Sequence, residues 1–337
     1  MNSSVRLPAM NPKFLLFALA LASAGIADRP AAAQQAYPSH PVTIVAPYGP
    51  GGTTDILARI VAEGMRGPLG QPVVIENVAG ASGTIGVGRV ARAAPDGYTV
   101  SIGNWGTHVV NGAVQHLPYD LINDLAPIAV LPGNPYVVFA NAAVPAKTLA
   151  ELIAWLKAAP DKATAATGGP GSPQHIVGVF FQNRTGTRFQ FVPYRGGVAP
   201  ALQDLMAGRI DLIFGQPSDV LAHVRSGKIR AYAVMAPRRL ASAPEVPTVD
   251  EAGVPGLYVS TWYGLWVPKG TPPEIVTRLN SAVVAALADP VVRGRLAELG
   301  LEIPPREQQT PEALGAFHKA EIEKWWPIIK AANIAPK

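Results

Sequence analysis

The run Val42-Thr43-Ile44-Val45-Ala46 is short, apolar and β-branched, and it leads directly into Pro47-Tyr48-Gly49-Pro50-Gly51-Gly52-Thr53-Thr54-Asp55. Beyond the glycines, Ile56, Leu57, Ile60, Val61 and Met65 recur at helical spacing. The stretch reads as a buried strand, a glycine-rich turn and an amphipathic helix. Such a turn leaves the first helical N–H groups unpaired and uncrowded, which suits them to an anion. Thr53 or Thr54 is expected to cap the helix. Asp55 falls in the first turn, where a carboxylate favours the dipole but repels an incoming anion. It therefore fits better as the residue that orders the loop, or as a partner for a ligand N–H or a water. Two readings stay open: the glycines close a tight turn, or they hold a ligand. The spacing is neither that of a nucleotide P-loop nor the Gly-x-Gly-x-x-Gly of a dinucleotide turn.

The same order of elements repeats. Val73 to Val78 reads as a second strand, Ala79 to Thr84 as a loop, and Ile85 to Ala91 as a helix. Tyr98 to Gly103 reads as a third strand, ending in Asn104-Trp105-Gly106-Thr107-His108. Strand–helix alternation predicts a parallel sheet covered by helices. Ligands in such sheets sit beyond the carboxyl ends of the strands. The loops 47–55, 79–84 and 103–108 share that edge, so Ser82, Asn104 and Trp105 become candidate contacts. Trp105 could stack on an aromatic acid or close an apolar edge.

The apolar stretch from Ala126 to Ala140 reads as a crossover into a second domain. Thr148-Leu149-Ala150-Glu151 is a capping box. After a weak strand at 162–167 comes Gly168-Gly169-Pro170-Gly171-Ser172-Pro173-Gln174-His175, a second glycine turn opening onto a helix. Ser172 is the expected N-cap and Pro173 the first helical residue. Two such turns, one per half, can face each other across a cleft, each worth roughly 0.3–2 kcal/mol towards a negative group. His175 is expected to pack rather than to bind. Strands are expected at 189–194, 210–214, 229–235 and 258–267. The tip Gln216 to Asp219 falls on the binding edge, whereas Trp262 and Tyr263 are assigned to packing. The C-terminal helices start at Thr271-Pro272-Pro273, Asp289-Pro290 and Thr310-Pro311. The last carries Leu314, Phe317, Trp325 and Ile329 on one stripe, and Pro327 is expected to kink it.

Composition removes several function classes. There is no cysteine among 337 residues, and the six histidines make no metal-ligand pair, so no metal or cofactor is expected. A formal charge of +5 without any basic–aromatic run gives no support to nucleic-acid binding. No serine sits in Gly-x-Ser-x-Gly, which weakens a secreted-hydrolase reading. Arg6 and Lys13 precede an apolar run from Phe14 to about Ile26, and Ala31-Ala32-Ala33 offers a small-residue cleavage site. Residues 1–33 are thus an expected export signal. Loss of Arg6, Lys13, Asp28 and Arg29 takes the formal charge from +5 to +3.

Pro-Tyr-x-Pro-Gly-Gly-x-x-Asp-x-x-Ala-Arg at 47–59 resembles the Bug family of extracytoplasmic solute receptors, the binding proteins of tripartite tricarboxylate transporters. The likeness continues through Glu76-Asn77, Pro95-Asp96-Gly97-Tyr98-Thr99, Leu117-Pro118-Tyr119-Asp120, Gly171-Ser172-x-x-His175 and Val192-Pro193-Tyr194-Arg195-Gly196. It ends with Pro247-Thr248-Val249, Trp262-Tyr263-Gly264-Leu265 and Gly270-Thr271-Pro272. One residue more separates Tyr194-Arg195 from Pro200 than the family pattern has.

The resemblance implies an α/β, two-lobe type II periplasmic binding protein fold with the ligand cleft between the lobes. The expected lobes are 37–136 with 237–337, and 137–236. It implies a periplasmic, non-enzymatic monomer that takes a dicarboxylate, an amino acid or an aromatic acid and serves membrane subunits of the transporter. A ligand-sensing subunit would use the same cleft. Mapped contacts run from Tyr48 through Gly51, Gly52 and Thr53 to Asp55 in the first lobe. In the second they are Thr167, Gly171, Ser172 and Tyr194. Strand order adds Gln216 and Asp219.

Overall fold

The computed structural model describes residues 37–194 and 198–331. The expected export signal and the Arg195-Gly196-Gly197 turn lie outside the described residues. From His40 onward the chain forms one unit, and it carries two five-stranded sheets.

The first sheet begins with β1 (Val42–Ala46), α1 (Thr53–Leu69), β2 (Val73–Asn77), α2 (Thr84–Ala91) and β3 (Thr99–Asn104). A π-helical turn, Gly106–Val110, then runs into α3 (Asn111–Val114), so the segment after β3 is helical rather than a loop. β4 (Leu125–Pro135) passes straight through Pro132-Gly133-Asn134-Pro135. The chain crosses at once into β5 (Val137–Asn141), α4 (Leu149–Ala158), β6 (Thr164–Thr167), α5 (Pro173–Thr185) and β7 (Gln190–Pro193). α6 (Val198–Met206), β8 (Leu212–Gly215), α7 (Pro217–Arg225) and β9 (Ile229–Val234) complete the second sheet. It returns as β10 (Ser260–Pro268), followed by α8 (Pro273–Ala288), α9 (Pro290–Glu298) and α10 (Pro311–Ala331).

Strand orders are β2-β1-β3-β10-β4 and β7-β6-β8-β5-β9. The three strands on which the parallel expectation rests are parallel to one another as expected, but each sheet as a whole is mixed. β1 is parallel to β2 and β3, but β10 is antiparallel to β3 and β4. β6 is parallel to β7 and β8, whereas β5 is antiparallel to β8 and β9. The reversal has a topological cause. β10 enters the first sheet from the other side of the molecule, and β5 enters the second the same way.

Only Tyr136 separates β4 from β5, and residues 235–259 make the return crossing. Three backbone bonds knit the crossings together. Tyr136 N–H donates to Val259 O (2.9 Å), Met235 N–H to Tyr136 O (2.8 Å), and Val259 N–H to Met235 O (2.9 Å).

Side-chain caps hold the starts of α4, α5, α9 and α10. Thr148 Oγ1 accepts from Glu151 N, and Glu151 Oε2 reaches back to accept from Lys147 N, one residue before the N-cap. Asp289 Oδ1 accepts from the amides of Val291 and Val292. Thr271 does not cap α8. The N-cap is Pro272, and the Thr271 hydroxyl donates to Pro268 O. α1 buries Leu57, Ile60, Val61 and Met65 as the spacing predicts. On α10 the buried stripe is Leu314, His318, Trp325 and Ile329, with Phe317 at its margin, and the helix continues past Pro327.

Candidate functional site

The first glycine loop is held by Asp55. Its carboxylate is 3% exposed and accepts from Gly51 N–H (2.9 Å), Asn77 Nδ2 (2.9 Å) and Arg59 Nε (3.1 Å). Asn77 Nδ2 also donates to Tyr48 O (3.0 Å). The Arg59 guanidinium, helped by the Gly51 amide and Asn77, holds the Asp55 carboxyl down at about 2. Asp55 thus orders the loop from inside, as the first-turn position suggests.

Neither Thr53 nor Thr54 caps α1. The N-cap is Gly52 in an extended conformation, with no side-chain bond. Among the described residues nothing accepts from the N–H groups of Gly52, Thr53 or Thr54. This helix end borders a cavity described below.

The second glycine loop is different. Ser172 caps α5 as expected, with Oγ accepting from His175 N–H (3.3 Å) and from Gly168 N–H (3.1 Å). Gly169 N–H donates to Thr167 Oγ1, Gly171 N–H to His175 Nδ1, and Ser172 N–H to Gly169 O. The loop therefore satisfies its own amides. Pro173 has no N–H, so only the Gln174 amide is left to point outward. His175 packs edge-on against Phe191 (4.5 Å between centroids), which agrees with a packing role.

Two cavities meet between the sheets. The first, about 230 Å³, is lined from the first sheet and its loops by Tyr48, Gly52, Thr53, Thr54, Asn104, Trp105, Gly106, Thr261 and Tyr263. Pro173, Gln174, Gln216 and Asp219 line it from the second, and Tyr136 from the crossing. The other, about 340 Å³, shares Tyr48, Gly106, Pro173 and Gln174 and adds Ser82, Asn111, Gln115, Gly171 and Ser172 among its lining. The halves come close here. A Cβ on Gly106 would lie 3.7 Å from Pro173 and 3.1 Å from Asn104 Oδ1.

Side chains of the first sheet's loops interlock at this edge. Asn104 Oδ1 accepts from Thr107 N–H (3.0 Å) and from the Tyr48 hydroxyl (3.4 Å), and Asn104 Nδ2 donates to Thr54 Oγ1 (3.5 Å). Across the cleft, Gln216 Nε2 donates to Thr261 Oγ1 (3.1 Å), linking the second sheet to β10. Ala81 (φ 45°) and Ser82 (φ 56°) are left-handed beside the second cavity, and Asn111 Nδ2 fastens them by donating to Ser82 O (2.9 Å). Non-glycine residues hold that conformation only where their surroundings impose it.

Of the expected contacts, Tyr48, Gly52, Thr53, Asn104, Trp105, Gln216 and Asp219 line the first cavity, and Ser82, Gly171 and Ser172 the second. Gly51, Asp55, Thr167 and Tyr194 line neither. Gly51 and Asp55 are engaged with each other, Thr167 is buried under Gly169, and the Tyr194 hydroxyl donates to Asp204 (2.7 Å). Trp105 is 1% exposed and sits edge-on to Tyr136 and Trp325. Tyr263, assigned to packing, is 2% exposed and so is packed, but it also lines the cavity, while Trp262 packs against Phe317. The sequence signal for Tyr263 is its alternation with Thr261 on a strand that reaches the binding edge.

Electrostatically the site is unusual for an anion. Among the described residues lining the two cavities there is no Lys, Arg or His, and the one acid is Asp219. Burial pushes the Tyr48 and Tyr136 hydroxyls up to about 12, with partial offsets from Asn104 and from Thr261 and Gln216 respectively. Burial raises Tyr263 as well. All three are neutral hydroxyls at physiological pH, able to donate or accept.

Two α/β halves joined by two crossings, with loops from both lining one cavity, define a solute-binding protein of the two-lobe periplasmic type. The chain belongs to the tripartite tricarboxylate transporter receptor family, whose model matches residues 57–334. BugT of Bordetella pertussis is 35% identical over 312 residues, covering 92% of this chain and 94% of BugT. MatC from Rhodopseudomonas palustris, solved with bound malate, is 38% identical with a TM-score of 0.74 and covers 87% of this chain and 100% of that one. An R. palustris protein solved with adipate is 35% identical with a TM-score of 0.77, covering 89% and 100%. Members of the family are periplasmic solute-binding proteins rather than enzymes.

Proposed function

We propose that this chain is exported, loses residues 1–33, and captures a small carboxylate in the periplasm for the membrane subunits of a tripartite transporter. The observation that carries this reading is the first cavity, where the unpaired amides of Gly52, Thr53 and Thr54 face residues of the second sheet. Free amides at a helix N-terminus are a binding site for an acid group. Neutral tyrosine, asparagine and glutamine groups complete the shell, so the acid is held by dipoles and not by a countercharge. The malate and adipate bound by the two R. palustris relatives support the same ligand class.

The lobes of this reading are 37–136 with 237–337, and 137–236, turning about Tyr136 and the 235–259 return. A ligand that touches both lobes adds contacts only in the closed form, so it shifts the population towards closure. The membrane partner then distinguishes loaded from empty receptor.

A thermal-shift screen of carboxylates beside their amides and methyl esters tests it. Acids at a hundred times Kd are expected to stabilise by about 2.7 kcal/mol. Equal shifts from acids and amides would remove the acid-anchoring reading.

A further inference from the structure

Tyr48, Gly106, Pro173 and Gln174 line both cavities at the cleft, so they form the neck where the two meet. Gly106 opens the π-helical turn after β3 with a φ outside the left-handed region, so its backbone does not require glycine. Glycine also lowers helix propensity there. What accounts for it is space. A Cβ would lie 3.1 Å from Asn104 Oδ1, 3.5 Å from the Tyr48 hydroxyl and 3.7 Å from Pro173 Cγ, inside the neck. Two costly pieces of backbone frame the second chamber, of about 340 Å³: the π-turn itself, and the left-handed Ala81 and Ser82 that Asn111 fastens. Its described lining is neutral, with Val110, Val114 and Pro170 beside Asn111 and Gln115. The glycine loop at its rim spends all its amides but that of Gln174 on itself.

We infer that the ligand is a monocarboxylate whose uncharged tail passes this neck into the second chamber, and that Gly106 sets how long a ligand the receptor takes. This rests on the proposal that α1 anchors the carboxylate, and it adds a second compartment to that site. With one end fixed at Gly52, Thr53 and Thr54, a tail that clears Gly106 exchanges water for Val110, Val114 and Pro170. Each methylene buried this way raises affinity about fourfold. A diacid of the same length carries its second carboxylate into a space lined by neutral side chains, where desolvation of the charge opposes binding. The carboxamides of Asn111 and Gln115 suit a neutral tail that ends in a hydroxyl or an amide as well as a plain hydrocarbon.

Titration calorimetry on the mature chain decides it with straight-chain monoacids from propionate to octanoate and diacids from succinate to suberate. In the wild type octanoate is expected to bind at least about tenfold tighter than propionate, the gain from two buried methylenes, and tighter than suberate. Gly106→Ala is expected to bring octanoate to within about threefold of propionate, less than one methylene's worth. The added methyl also crowds Asn104, so the ratio between lengths is the readout, and not either affinity alone. Val114→Phe fills the second chamber from a position that does not line the first, and it is expected to lower the same ratio. In a crystal of the wild type with octanoate the tail is expected beside Val110 and Val114. A tail that leaves towards solvent, an affinity that ignores length, or suberate binding tighter than octanoate would each overturn the inference while the anchoring proposal stands. A ratio unchanged in Gly106→Ala overturns the role of the neck, and one unchanged in Val114→Phe overturns that of the chamber. If no acid of any length binds, the carboxylate-anchoring proposal itself fails and takes this inference with it.

Discussion

At the scale of single residues, the glycine loop depends on a carboxylate that lines neither cavity. Asp55→Asn keeps the shape but removes the charge that draws together Gly51, Arg59 and Asn77. The expected result is a lower melting temperature and about tenfold weaker ligand binding by calorimetry, in line with loss of a hydrogen bond to a charged group. Unchanged affinity would mean that the loop holds itself open without Asp55. Because Asp55 is held down at about 2, its contribution is complete above the unfolded carboxylate range near 4 and disappears as pH falls towards 2. A second pH effect lies deeper. His318 Nε2–H donates to His108 O (2.7 Å), and His108 stacks on Trp266 at 3.9 Å. Burial lowers His318 to about 4 and pushes His108 well below its ordinary value. The unfolded chain takes up these protons first, so stability falls as pH drops from about 6.5 to about 4. For His318 alone the loss is on the order of 3 kcal/mol. Chemical denaturation across that window checks it, and His318→Gln should flatten the slope.

At the scale of elements, close helix packing and capping set the outcome. Gly64 on α1 faces α8, where an added Cβ would lie 2.7 Å from Ala286 Cβ and 3.1 Å from its backbone. Gly64→Ala gains about 1 kcal/mol of helix propensity. Forcing apart two packed helices costs about 1–3 kcal/mol. A net drop in melting temperature is expected, and a rise would show that α8 gives way freely. Ser172→Ala removes the acceptor for both Gly168 and His175 and should cost about 1 kcal/mol. It should also weaken binding more than Ser226→Ala, whose hydroxyl serves only His223 O at the exposed end of α7. The strands and helices around these loops were legible because a glycine turn between a β-branched run and a 3.6-residue stripe leaves few alternatives. What stayed illegible was which amides remain free. Both loops read as glycine turns before a helix, yet one binds its own amides through Thr167, Ser172 and His175, a matter of tertiary geometry. Tyr136 and Thr261 were missed for a related reason. They sit on crossing and returning segments far along the chain, and only the mixed topology brings them to the edge.

At the scale of the whole molecule, the proposed lobe closure turns on a side-chain contact between the two sheets. Gln216 Nε2 donates to Thr261 Oγ1 across the gap, close to the knitted crossings at Tyr136, Met235 and Val259. In the proposed closure the two halves turn about these crossings, and the expected outcome is that one hydrogen bond at the cavity biases the balance. A net bond is worth about 1 kcal/mol, which shifts an open–closed ratio about fivefold. Gln216→Ala should therefore enlarge the radius of gyration of the free protein in X-ray scattering. Saturating ligand should bring it back to the wild-type closed value, at the expense of affinity. Thr261→Val removes the same bond from the other side. In a double-mutant cycle on binding, the two changes together should cost less than their separate costs added, because the second has no bond left to break. Strict additivity, with wild-type scattering for Gln216→Ala in the free state, would mean that the bond is a wall contact and not a latch.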